Sequence, residues 1–111
     1  MSLDGIWTTE FHGQMGWENV GVLVMQDGAV AGGNNSHFSH GSYTESGDEV
    51  TLTLAINFHG TPRTVFGERE KEFTLQLDGK RDGDTIVGTY FRTDKSKMTL
   101  NFRAVRRADF P

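Results

Sequence analysis

Polar and apolar residues alternate along most of this chain. Residues 50–58 read Val-Thr-Leu-Thr-Leu-Ala-Ile-Asn-Phe. A period of two puts Val50, Leu52, Leu54, Ile56 and Phe58 on one face and Thr51, Thr53 and Asn57 on the other. Phe73, Leu75 and Leu77 oppose Thr74, Gln76 and Asp78 in the same way, and Met98, Leu100, Phe102 and Ala104 oppose Thr99, Asn101 and Arg103. Threonine and β-branched residues favour extended backbone. No stretch carries a helical stripe beyond a single turn at residues 68–71.

Turn signals divide the chain into eight strands at residues 4–12, 17–26, 29–33, 38–45, 49–59, 72–81, 84–92 and 97–106. Three connections are very short: Gln26-Asp27-Gly28, Ser46-Gly47-Asp48 and Asp82-Gly83-Asp84. Their Asp and Gly residues supply the positive φ of tight hairpins. In an antiparallel meander alternate connections share an end, so these turns stitch one end. The longer connections, 12–16, 34–37, 60–71 and 93–96, loop over the other. An open sheet of this width leaves two bare edges, and closing the last strand onto the first removes both. A sandwich would also bury one face, but the tight meander favours a closed antiparallel up-and-down barrel of a single domain, 1–111. Gly5 and Trp7 then start the first strand at the stitched end, beside Arg103, Arg106 and Arg107 of the last. Trp7 is expected to plug the floor, with an arginine such as Arg103 stacked on its indole. Gly5 lets the chain cross that floor closely. Met1, Ser2 and Leu3 carry no weight in this reading.

Gly5-Ile6-Trp7 resembles the G-x-W opening of lipocalins. The ordered segments DGIWTTEF, GVLVMQDGAVAGGN, GSYTESGDEV, FTLQL and GDTIVGTY are similar to the GrlR-like group of small bacterial regulators. That resemblance implies a lipocalin-like eight-stranded barrel, often a homodimer. It also implies a regulatory role through contact with a protein partner such as a transcription regulator. In that group an acidic Glu-Asp-Glu-Asp loop makes the contact. Here the loop falls on Ser46-Gly47-Asp48-Glu49, and Asp48 and Glu49 alone keep the acid.

The formal charge of −4 argues against a nucleic-acid backbone as partner. The absence of cysteine removes thiolate chemistry and disulfides and fits a cytoplasmic protein. No apolar run reaches the length of a signal peptide or a membrane span. His12, His37, His40 and His59 belong to the looped end, but His37 and His40 are three apart and face opposite ways on a strand, so no metal site and no cofactor are expected. No G-x-S-x-G nucleophile turn occurs, and Ser36, Ser39 and Ser42 are ordinary loop and strand residues. The acids sit mostly in turns, and residues 28–33 lack the lysine of a phosphate loop. No enzyme activity is expected.

Alternation sends Trp7, Phe11, Leu23, Met25, Tyr43, Leu52, Leu54, Ile56, Phe58, Phe73, Leu75, Leu77, Ile86, Tyr90, Met98, Leu100 and Phe102 inward. An eight-stranded barrel holds such side chains alone or with one small apolar ligand. A pocket would open at the looped end, at Phe11, His12, Phe58, His59, Tyr90 and Tyr43, with residues 60–71 as a lid carrying Val65 and Phe66. On the outside, Val20, Val22 and Val24 make the second strand apolar on both faces, and Val87 and Phe91 add to that surface. An interface, most simply a symmetric homodimer, is expected there. The sequence therefore points to a non-catalytic binding or regulatory protein, with a small apolar ligand inside the barrel as the other reading.

Overall fold

The computed structural model describes residues 3–13, 16–59, 72–94 and 99–109, with the backbone alone at 18–20. The described residues form eight strands. These are β1 (Gly5–Gly13), β2 (Gly16–Gln26), β3 (Ala29–Gly33), β4 (His37–Ser46), β5 (Glu49–Phe58), β6 (Glu72–Asp82), β7 (Thr85–Arg92) and β8 (Leu100–Ala108). Each pairs antiparallel with the next, and β8 closes onto β1 to complete a barrel. The closing seam runs from Ile6 opposite Ala108 to Phe11 opposite Phe102. The fold is the closed meander that the period-two pattern implies.

The short turns share one end, as the parity of the connections requires. Asp27 and Gly28 take positive φ, as do Gly47 and Gly83. The turns are also tied to neighbouring strands. The Tyr43 N–H donates to the Gly28 carbonyl at 2.9 Å, Arg81 N–H to Asp48 at 2.7 Å and Arg106 N–H to Asp84 at 2.7 Å. At the other end, Asn34 Oδ1 accepts the N–H groups of Ser36 and His37 at 2.9 and 3.1 Å, which fixes the β3–β4 turn.

β8 runs on to Ala108, past the end at 106 that the pattern suggests, because Arg106 pairs with Trp7 and Ala108 with Ile6, the register shifting at Arg107 between them. Both guanidinium groups find oxygen acceptors. Arg106 Nε donates to the Asp4 carbonyl at 3.0 Å, and Arg107 Nε to Thr8 Oγ1 at 2.9 Å. Arg106 also pairs with Asp109 and lies 3.8 Å from Asp84.

The core is one continuous cluster running up the barrel. Trp7, Leu23, Met25, Tyr43, Leu52, Leu54, Ile56, Leu75, Leu77, Ile86, Tyr90 and Phe102 are buried, as their alternation demands. Phe11, Phe73 and Leu100 are partly buried against them, and Phe58 is half-buried at the end of β5. Met98 lies outside the described residues, as does the 60–71 connection with Val65 and Phe66.

Trp7 does close the floor, but two details differ from expectation. Leu3, given no weight from sequence, is fully buried, and its carbonyl accepts the Trp7 indole N–H at 2.9 Å. A buried indole N–H needs an acceptor, and the chain just ahead of β1 supplies it. Arg103, moreover, is not the arginine at the floor. Its guanidinium carbon lies 4.0 Å from the centre of the Trp17 ring, and its Nε donates to Glu10 at 2.7 Å. Position 103 faces outward, since its neighbours Phe102 and Ala104 are buried. Arg106 takes the floor position instead. It is the cross-strand partner of Trp7 and lies against Gly5. Gly5 has φ +147°, and a Cβ there would come within 2.7 Å of the Ala108 carbonyl oxygen and 2.8 Å of Arg106 Nε. Glycine is required by that close crossing.

Candidate functional site

The looped end carries a rim of rings. Two groups form it, and each follows from strands ending at that level. On one side Phe11 of β1 meets Tyr90 of β7 edge-to-face, with centroids 4.9 Å apart, and Phe102 of β8 at 6.4 Å. On the other, His37 of β4, Phe58 of β5 and Phe73 of β6 make a file, with 5.8 Å and 6.0 Å between successive rings. Edge-to-face and tilted contacts of this kind add to the burial of each ring. Burial, helped by the charge of nearby His59, pushes the His37 imidazole below its ordinary value.

Arg92 closes the second file. It is the last residue of β7, fully buried, with its guanidinium carbon 4.7 Å from the centre of the Phe73 ring. Asp94 grips it from the turn beyond the strand. Arg92 Nε donates to Oδ1 at 3.0 Å and the terminal nitrogen donates to Oδ2 at 2.8 Å. This is a two-pronged carboxylate contact, the geometry to which guanidinium is suited. The partners differ sharply in exposure: the Arg92 side chain is 1% exposed and that of Asp94 56%. The inward set expected from alternation contains no charged residue. The signal was present, because Ile86 and Tyr90 face inward and Arg92 follows at the same parity.

The expected mouth residues divide on inspection. Phe11 and Phe58 stand at the rim. Tyr90 lies beneath it, fully buried, and its hydroxyl donates to the His12 carbonyl at 2.9 Å. The His12 ring turns outward against Trp17, with centroids 5.3 Å apart. His59 is exposed, stacked on Phe38 and within 3.2 Å of the Asn34 carbonyl. Tyr43 is not at the mouth. It lies near the β4–β5 turn at the stitched end, and its hydroxyl donates to Asp4 Oδ1 at 3.1 Å. Burial there raises its phenol above the ordinary value, and the Asp4 carboxylate adds to that effect. Strand parity gave Tyr43 the correct face, but its height along β4 belongs to the floor. Among the described residues no group of three or more His, Asp or Glu side chains stands close enough to hold a metal ion.

The outer apolar positions form two surfaces instead of one. Val22 and Val24 of β2 are flanked by Ile6 of β1 and Ala31 of β3, which are both cross-strand partners of Val24. Val22 is 42% exposed. The side chain of Val20 lies outside the described residues. Val87, 52% exposed, and the half-buried Phe91 sit on β7, and β8 and β1 separate them from β2. The Arg103–Glu10 pair stands in that gap and holds the Glu10 carboxyl below its ordinary range. Val87 instead shares a shallow outer groove of about 400 Å³ with Glu49, Asp78 and Lys80. Asp48 and Glu49 are both exposed at the β4–β5 turn beside it.

Comparison with known proteins adds little to this geometry. No family model matches the chain. Seventy residues, 63% of the chain, are 33% identical to fibronectin-binding protein A of Staphylococcus aureus, with the same figures for strains MSSA476, MW2 and N315. The match spans 7% of that protein's length. Among the described residues no helix is long and apolar enough to cross a membrane.

Proposed function

We propose that this barrel acts by binding, without bond-making chemistry of its own, and that it works as a pair of identical chains. The observation that supports this reading is the outer strip Ile6, Val22, Val24 and Ala31, a continuous apolar surface across three neighbouring strands. None of the four carries a charge, so the strip can meet its own copy about a two-fold axis without juxtaposing like charges. Arg107, bonded to Thr8, marks its border. Pairing along this strip leaves the aromatic rim and the Asp48–Glu49 turn on other surfaces, where a further protein can dock. A partner such as a transcription regulator fits the likeness to GrlR-like regulators. Sedimentation equilibrium tests the pairing. The native chain should sediment as a dimer and Val22→Glu as a folded monomer. A native chain that stays monomeric at high concentration would overturn it.

A second reading rests on the rim. Phe11, Phe58, Phe73 and Leu100 are only partly buried at the looped end of the barrel. A small apolar molecule seated there would bury them further. Thermal stabilisation by such a molecule is the corresponding test.

A further inference from the structure

We infer that the outer face centred on Val87 docks a different protein, through an apolar side chain of that partner flanked by two carboxylates. The inference extends the docking of a further protein proposed above and names its surface and chemistry. Val87 is 52% exposed and lines the outer groove of about 400 Å³. Its side chain faces away from the barrel interior, so the core gains nothing from a valine there. Both of its cross-strand partners are cations, Lys80 on β6 and Arg103 on β8.

The two cations are held differently. Lys80 is exposed and, among the described residues, forms no ion pair, not even with Glu49 opposite it on β5. Arg103 is fixed by Glu10 and by the Trp17 ring, and Trp17 is itself 40% exposed. An arginine fixed before binding loses less freedom on meeting a carboxylate, and arginine and tryptophan are the side chains that most often anchor protein contacts. The acids around them are Glu10, Asp78 and Glu49. Glu10 is taken by Arg103, and Asp78 accepts from Thr51 at 3.3 Å and from Gln76 at 3.1 and 3.2 Å. Glu49 is exposed, one strand beyond Lys80.

The same row argues against a second copy of this chain as the occupant. A two-fold axis through Val87, whether along the row or across it, sets the cations of one copy against those of the other. Like charges so placed cost binding. The uncharged strip of Ile6, Val22, Val24 and Ala31 has no such obstacle. The two apolar surfaces therefore select different partners: one its own copy, the other a surface of reversed charge. Lys80 and Arg103 lie two strand spacings apart, about 10 Å. Glutamates one turn before and one turn after a leucine lie about 11 Å apart on one helix face, with the leucine between them.

The test is an NMR titration of the full chain with a helical peptide carrying that Glu–Leu–Glu face. The peptide should shift the amides of Lys80, Val87 and Arg103, and added salt should weaken it. Val87→Ser and Lys80→Glu, both at exposed positions, should each weaken it about tenfold or more. Val22→Glu should bind it as the native chain does. A Lys–Leu–Lys peptide that binds as well as the glutamate peptide overturns the inference, and so do shifts centred elsewhere, unchanged affinity in Lys80→Glu, or no binding at all. Sedimentation separates this outcome from the pairing of identical chains. If Val22→Glu stays a dimer and Val87→Ser does not, the Val87 face joins two copies and the inference falls.

Discussion

The Trp7 indole donates its N–H to the carbonyl of Leu3, and both side chains are fully buried at the floor of the barrel. The segment ahead of β1 is therefore part of the core. Leu3→Ala should lower the unfolding free energy by about 2–4 kcal/mol, the usual range for emptying a buried leucine site. Urea titration measures it, and a loss below about 0.5 kcal/mol would show that the floor closes without Leu3.

Gly88 faces Gly79 across β6 and β7, where the two backbones approach closely. A Cβ on Gly88 would overlap the Asp78 carbonyl oxygen and crowd the Gly79 Cα. The obstruction is backbone, so no side-chain rotation relieves it. Gly88→Ala should cost about 2–3 kcal/mol or more. A variant as stable as the native chain would mean that this close approach is not needed for closure.

His37 gives the fold a pH dependence of definite sign. Burial lowers its pKa below the ordinary 6.5, so between the folded and unfolded values the unfolded chain binds more protons. The His37 contribution to stability is thus complete above the ordinary value. It declines as the pH falls toward the folded value, then levels off once both states are protonated. His37→Gln should flatten that part of the profile. The check is chemical denaturation of both proteins across about pH 8 to 5. Identical slopes would refute the assignment.

The two tryptophans should report separately. Trp7 lies in the dry floor, while Trp17 is exposed under the Arg103 guanidinium. Arg103→Met should change the Trp17 emission and leave the blue-shifted Trp7 component alone. Glu10→Gln should have a weaker effect in the same direction, since Glu10 holds Arg103 in place. If the Trp7 component moves instead, Arg103 acts at the floor after all.

Much of the architecture was legible because two simple rules governed it. Alternation set the inward faces of β5 and β6, and hairpin parity separated the stitched end from the looped one. What escaped had particular causes. Alternation gives Tyr43 its face but not its height, since it says nothing about position along the barrel axis. The Trp7 acceptor is not legible in the sequence, because an isolated leucine ahead of a strand has no periodicity to reveal it. Arg92 is hard to read as inward, because charge at an inward position runs against the rule that identifies inward positions. Val22 and Val87 read as one surface in the linear pattern, which does not tell how many strands lie between β2 and β7.

The seam that sets Ile6 opposite Ala108 has a consequence for whatever is joined to this domain. A polypeptide entering at β1 and one leaving from β8 do so side by side, beneath the floor. Fusions or neighbouring modules on both flanks thus gather at one pole, on the far side of the barrel from the ring of aromatics.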